Sequence, residues 1–344
     1  MQPQRSMDTA APYDLTFREY RPGDEAAILD CFQRVFDVGT PEARPRTMDH
    51  WHWQYAKNPT ALRRILLAVD ERAGGRVAAQ YAGVPVRMFD RGATTIATQA
   101  VDSMVDPAYR RGLKRPGLFA TLGARWYAKW IHTDGDRLAY GIPVPQSWRI
   151  GNALLRYEIV RTQPILFREP DAPIPAGRGV AVRRVERAGP GFDALFATLA
   201  PDLRYVAFRD AAFLNWRFVE HPTFRYTILG AFEGPALRGY AVVRHGDWVV
   251  PNNTILVDWL VGGGDVDAAR ELLRAADALR GDAGSPALSV LLPDCNPWYR
   301  DLQVEGFLVA PSDYMTVVVS SSAAYAPHVL RREWYHTLAD FDLA

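Results

Sequence analysis

Val101-Asp102-Ser103-Met104-Val105-Asp106-Pro107-Ala108-Tyr109-Arg110-Arg111-Gly112-Leu113-Lys114-Arg115-Pro116-Gly117-Leu118-Phe119-Ala120-Thr121-Leu122 is the stretch on which the reading of this chain turns. An apolar strand ends at Val105, Asp106-Pro107 makes a turn, and a basic loop holding Gly112 and Gly117 enters a helix expected over 118–131. The first turn of such a helix offers unpaired backbone N–H groups and the positive end of its dipole. With Arg110, Arg111, Lys114 and Arg115 beside it, the loop describes a cradle for a diphosphate.

Outward from this stretch, a strand at 15–20 precedes a helix at 25–36, with Asp24 as its expected N-cap and Ile28, Leu29, Phe32, Val35 and Phe36 at helical spacing. Strand patterns follow at 64–69, 77–89, 94–105 and 138–142, then a helix near 146–155 and a strand from Glu158. This order predicts a mixed α/β sheet. Pro164, Pro170, Pro173 and Pro175, with Gly177 and Gly179, mark a linker segment.

Beyond the linker the same landmarks return. Trp53-Gln54-Tyr55-Ala56-Lys57-Asn58-Pro59-Thr60 matches Trp216-Arg217-Phe218-Val219-Glu220-His221-Pro222-Thr223. Val101-Asp102-Ser103-Met104-Val105 matches Val257-Asp258-Trp259-Leu260-Val261, and Leu138, Pro143 and Trp148 match Leu288, Pro293 and Trp298. Three matches in one order, with offsets of 163, 156 and 150, describe an internal duplication whose second copy has shorter loops. That copy has Gly262-Gly263-Gly264-Asp265-Val266-Asp267 where the first has its basic loop. Two acids there would repel a diphosphate. Asp265 is instead expected to cap a helix over 266–279.

The segment resembles the acetyl-CoA motif of the GNAT (GCN5-related N-acetyltransferase) superfamily. In that motif a strand ending in Val-x-Pro-x-Tyr-Arg runs into a glycine loop and a helix; Val105, Pro107, Tyr109 and Arg110 stand at its positions, and Gly117-Leu118-Phe119 opens the helix. Tyr140-Gly141-Ile142-Pro143 and Leu155-Arg156-Tyr157 are similar to the family's closing strand and helix. The departures are a glycine seven residues after Arg110, Val144 where an Asn is usual, Arg156 for Gly, and Asn152 where many relatives carry an acid Tyr.

The resemblance implies a fold of two tandem GNAT-like domains, each a mixed, mostly antiparallel twisted sheet flanked by helices. The expected order is a leader over 1–13, an acyl-CoA domain over 14–168, a linker over 169–179, a degenerate copy over 180–322, and a tail over 323–344 that folds back on the body. It also implies an N-acyltransferase in which a small amine attacks the thioester of acetyl-CoA or another acyl-CoA directly. The backbone of Met104 and Val105 would pair with pantetheine. Arg110, Arg111, Gly112, Leu113, Lys114, Arg115, Gly117, Leu118 and Phe119 would hold the diphosphate. Asp102 is the candidate base, with a buried structural carboxylate as the other reading. Tyr140 is the candidate acid, and Gln80 and Tyr81 would line the acceptor groove. The rival readings are an acyl-CoA-binding pseudoenzyme and a transferase using aminoacyl-tRNA or a carrier thioester.

Composition narrows the classes. At 344 residues, with 48% hydrophobic residues and a net charge of +1, the chain has material for two cores and no broad basic face for nucleic acid. His50 and His52 lack the spacing of a metal pair, so no metal is expected. Cys31 and Cys295 fit no disulfide or metal pattern, no apolar run is long enough to span a membrane, and the N-terminus has no signal core. The expected setting is cytoplasmic.

Overall fold

The structure is a computed structural model that describes residues 14–36, 46–110, 117–132, 135–170 and 173–343. Its strands, in chain order, are β1 Leu15–Glu19, β2 Arg64–Asp70, β3 Arg76–Asp90, β4 Ala93–Val105, β5 Leu138–Gly141, β6 Glu158–Thr162, β7 Ile165–Arg168 and β8 Ala181–Val185. They continue with β9 Tyr205–Ala207, β10 Thr227–Glu233, β11 Ala236–Trp248, β12 Val250–Val261, β13 Leu288–Leu291, β14 Leu308–Ala310, β15 Met315–Ser320 and β16 Trp334–Tyr335.

These form two twisted, mostly antiparallel sheets. One runs β1-β2-β3-β4-β5-β15-β6, with β9 also on β3 and β16 on β9. The other runs β14-β7-β13-β12-β11-β10-β8. In β2, Ile65, Leu66, Leu67, Ala68 and Val69 are all buried, so both faces of the strand are covered. A helix Glu25–Phe36 buries Ile28 and Cys31, and the helix Leu118–Trp130 buries Leu122 and Trp126. The expected cap at Asp24 is not formed. Its carboxylate turns back to accept from Arg18 and from the Arg21 backbone N–H. The paired guanidinium outcompetes the helix N-terminus for that anion.

The sheets exchange strands, which chain order does not show. β7 follows Pro164 at the end of the stretch 14–168 assigned to the acyl-CoA domain, yet it pairs with β13 and β14 of the second sheet. In return β15, far along the second half, inserts between β5 and β6 of the first. Composition marked the prolines correctly but could not reveal that Ile165, Leu166 and Arg168 are buried in another sheet.

The duplication is visible as a reciprocal contact. The Trp53 and Trp216 rings stack at 5.1 Å and 13°. Trp53 Nε1 donates to the Trp216 carbonyl at 2.6 Å, and Trp216 Nε1 donates to the Trp53 carbonyl at 2.8 Å. Each Trp sits in a π-helical turn, His52–Ala56 or Asn215–Val219. An exchange of identical bonds is what a pseudo-two-fold relation imposes. The tail returns to the body: Trp334, Tyr335, Leu338 and Phe341 are buried, and β16 pairs with β9. Arg209, fully buried, joins Asp258 of β12 to Asp340 of the tail.

Candidate active site

β4 and β5 are parallel neighbours only at Thr98↔Ala139 and Gln99↔Tyr140. Beyond that point they part, and a cavity of about 300 Å³ opens between Ala100–Ser103 on one side and Gly141–Val144 on the other. Phe119, Tyr127 and Tyr157 close its flank. The register between β3 and β4 shifts between Gln80 and Ala82, a bulge opposite Asp102. Asp102 takes a left-handed φ of 48°, which Asp tolerates better than most residues. Its carboxylate accepts from Arg46 at 2.8 Å, Gln54 at 2.9 Å and Tyr55 Oη at 2.8 Å. Burial and then this carboxylate hold the Tyr55 phenol well above its ordinary pKa.

Below the wedge, the Tyr of the motif proves to be an anchor. Tyr109 Oη donates to Asp70 at 2.8 Å, and burial followed by that bond pushes its pKa up to about 12. Asp106 accepts from Arg34, Arg76 and the Ala108 N–H, which fixes the turn. Arg110 is exposed and donates to the Val105 carbonyl at 3.0 Å. Gly117 is the N-cap of the helix Leu118–Trp130 and supplies no side-chain cap. The first-turn N–H groups of Leu118 and Phe119 therefore keep no intrahelical partner. Arg111, Gly112, Leu113, Lys114 and Arg115 lie outside the described residues.

A second cavity, about 940 Å³, lies between the two halves. Residues from both copies line it, among them His50, Trp53, Trp216, His221 and Phe224, with Phe341 and Asp342 from the tail. His221 Nδ1 accepts from the N–H groups of Thr223 and Phe224, so its proton is on Nε2 and the ring is neutral. Burial and the neighbouring Arg217 lower its pKa to about 2, and burial with Arg46 lowers His50 to about 4.

The two cavities share Phe32, Arg46, Val101, Tyr140 and Asp342 as lining. Tyr140 is 2% exposed, and its hydroxyl has no hydrogen-bond partner among the described residues. Burial keeps that phenol protonated, well above its ordinary pKa. Met104 and Val105 lie at the end of β4, near the wedge but outside its lining.

Gln80 and Tyr81, expected in the acceptor groove, line neither cavity. Gln80 donates to the Asp102 carbonyl across the bulge at 3.0 Å. Tyr81 points to the opposite face of the strand and bonds the hydroxyls of Tyr127 and Tyr157 at 2.7 and 2.6 Å. It therefore supports the donor side. Asp342 was missed, because nothing in the local pattern of the tail indicates where a single carboxylate will land. Among the described residues no cluster of His, Cys, Asp or Glu is placed to hold a metal ion.

In the second half the corresponding wedge is filled. Trp259 stands where the first half has Ser103, and it meets Trp298 edge-on at 5.8 Å. Trp298 Nε1 donates to the Val261 carbonyl at 2.9 Å, occupying an acceptor at the end of the strand. Asp265 caps the following helix, Val266–Asp282, as its position predicts.

A sheet split at a bulge, a wedge and an uncapped helix N-terminus define an acyltransferase fold of the GNAT type. Residues 16–149 match the family model described as an acetyltransferase (GNAT) domain. This match assigns the first part of the chain to a GNAT domain, a family whose members use acyl-CoA as co-substrate. No curated protein matches the chain.

Solved structures share the fold across nearly the whole chain. A GCN5-related N-acetyltransferase from Anabaena variabilis has a TM-score of 0.63 at 11% identity, covering 89% of this chain and 72% of its own. One from Kribbella flavida has a TM-score of 0.61 at 16% identity, covering 89% and 71%. A tandem GNAT protein from the clavulanic acid biosynthesis pathway has a TM-score of 0.56 at 15% identity, covering 90% and 99%.

Proposed function

We propose that the protein transfers an acyl group, acetyl first among the candidates, from CoA to a small amine. The observation that carries this reading is the junction of the two cavities. A narrow wedge beside the unpaired edge of β4 suits a pantetheine arm, and it opens into a larger chamber suited to an acceptor. The residues present fit the coenzyme. The Leu118–Trp130 N-terminus, Arg110, Arg111, Lys114 and Arg115 would hold the diphosphate, and the free edge of β4 up to Met104 and Val105 would pair with pantetheine.

The amine nitrogen attacks the thioester carbon, the C–N bond forms, the C–S bond breaks, and the sulfur leaves with the bonding pair. Holding both reactants at one junction supplies much of the rate. Tyr140 lines both cavities and keeps its proton, and as the candidate acid it would protonate the leaving sulfur. Asp102 anchors Arg46 and the His52–Ala56 turn beside the junction. The filled second half shapes the acceptor chamber and binds no coenzyme. A cytoplasmic setting accords with two free cysteines and with described helices that are all too short or too polar to cross a membrane.

One feature favours a second reading, an acyl-CoA-binding pseudoenzyme: Val144 lines the wedge at the position where relatives place an Asn. Calorimetry against acetyl-CoA, combined with thiol release over a panel of amines, separates the two. Binding with amine-dependent thiol release is the expected result. Binding without release across the panel establishes the pseudoenzyme, and absence of binding removes both.

A further inference from the structure

Asp342 is the carboxylate that both cavities share. Three residues earlier the chain is clamped to the body: Arg217 donates to the carbonyl of Ala339 at 3.2 Å and to that of Phe341 at 3.1 Å. Asp340 is tied to the buried Arg209, and Thr337 and Asp340 close a capping box. Phe341, 1% exposed, packs edge-on against Tyr140. The backbone leading into Asp342 is thus held in place, while its own side chain lines the cavity. Its carboxylate accepts from its own backbone N–H and from Gln99 Nε2 at 3.0 Å, and Gln99 is the β4 residue paired with Tyr140 at the point where the strands part.

Two carboxylates border the junction, and their partners differ. Asp102 accepts from three donors, one of them an arginine at 2.8 Å. Asp342 accepts from two neutral donors, Gln99 Nε2 and its own backbone N–H, and from no arginine among the described residues, while it lines both cavities. A base must have a lone pair within reach of the proton that it removes.

We propose, resting on the acyl-transfer reading, that Asp342 is the catalytic base that takes the proton from the acceptor amine, delivered to the donor site by the folded-back tail. The ammonium of the acceptor gives one proton to the Asp342 carboxylate, and the freed nitrogen lone pair forms the C–N bond. As the C–S bond breaks, the thiolate is protonated from Tyr140, and the second proton lost by nitrogen restores that phenol. Asp342 then returns its proton to cavity solvent, so one proton is released per turnover.

The surroundings suit the task. Burial of the site and then the facing Asp102 carboxylate raise the Asp342 pKa, against the lowering effects of Arg46 and Arg217. Tyr140 faces Asp342 from β5 and Gln99 from β4. A carboxylate whose pKa is raised towards the working pH is a stronger base than an exposed one.

The test is turnover of acetyl-CoA by the full-length protein from pH 5 to 9. Thiol release is followed with water as the acceptor and with each amine of a panel, for the wild type, Asp342→Asn and Asp342→Glu. The wild-type rate should fall on the acid side, with an apparent pKa above the ordinary carboxylate range. Asp342→Asn should lower kcat about 100-fold or more and abolish that acid limb, while acetyl-CoA affinity by calorimetry stays within twofold. Asp342→Glu should recover part of the rate together with the limb.

An Asn variant within threefold of wild type, or one that keeps the acid limb, overturns the assignment. So does a loss of rate matched by an equal loss of coenzyme affinity, which would mark a structural residue. A wild type that binds acetyl-CoA but turns it over with no acceptor, water included, has no need of a base and also overturns it. Absence of acetyl-CoA binding by the wild type is a different failure, since it removes the acyl-transfer reading itself.

Discussion

Asp102 and Asp258 occupy equivalent positions in the two copies, and both carboxylates are consumed in holding structure. Asp102 gathers Arg46, Gln54 and Tyr55; Asp258 gathers Arg209, Tyr240 and Thr337. One carboxylate thus recurs as a tie between a sheet and the segments packed on it. Asp102→Asn isolates this role, since Asn also tolerates the left-handed backbone. The amide offers one acceptor oxygen to three donors, so chemical denaturation should show a loss of about 1–3 kcal/mol. Acetyl-CoA affinity should hold within about threefold and the acid limb of turnover should survive, as expected of a positioning residue. Unchanged stability with loss of that limb would return Asp102 to the role of base.

At the scale of the element, the start of the helix Leu118–Trp130 is where the proposed coenzyme's diphosphate would lie. Gly117 has φ −71° and ψ 173°, a conformation open to any residue. A Cβ placed there meets nothing within 4 Å. The absence of a side chain is therefore unexplained by backbone strain or by packing, and it leaves the N-terminal N–H groups uncovered. Gly117→Asp should act with opposite signs on two measurements. A capping carboxylate favoured by the helix dipole should raise unfolding stability by about 0.5 kcal/mol. The same charge, set where a diphosphate would lie, should weaken acetyl-CoA binding at least about tenfold. A stabilised variant with undiminished affinity would place the coenzyme elsewhere.

The element boundaries were largely legible because apolar periodicity survives in them. The helix Glu25–Phe36 lies where its spacing puts it, and β4 ends at Val105 as read. The misreadings have local causes. Asp24 had a stronger partner in Arg18 than in the helix N-terminus. The short strand β7 was hidden among prolines, where four residues carry too little pattern to outweigh turn composition.

For the whole molecule, the exchange of β7 and β15 makes two sequence copies into one folding unit. The segment 14–168 expressed alone would leave the place between β5 and β6 vacant and β7 without a sheet. The reciprocal tryptophan bonds would be lost with it. We expect the intact protein to unfold in a single calorimetric transition. The segments 1–168 and 169–344 should each be poorly folded alone and should regain cooperative unfolding when co-expressed. Two separate transitions in the intact chain, or an independently folded 14–168, would show that the copies are autonomous domains. The larger cavity depends on the same union, since residues of both copies and of the tail form its wall.

What the amino-acid order determined by itself is what depends on near neighbours: strand and helix periods, the basic turn before Gly117, and the repetition that announces two copies. Each is a relation among residues a few places apart, or between two such patterns. What tertiary structure alone decided is which distant groups share a space. The crossing of β7 and β15, the wedge closed by Trp259 and Trp298 in one copy and open beside Ser103 in the other, and the delivery of Asp342 to Gln99 over 243 positions are of this kind. Their common cause is burial. A strand or a tail goes where its apolar face is most fully covered, and that depends on every other element already in place.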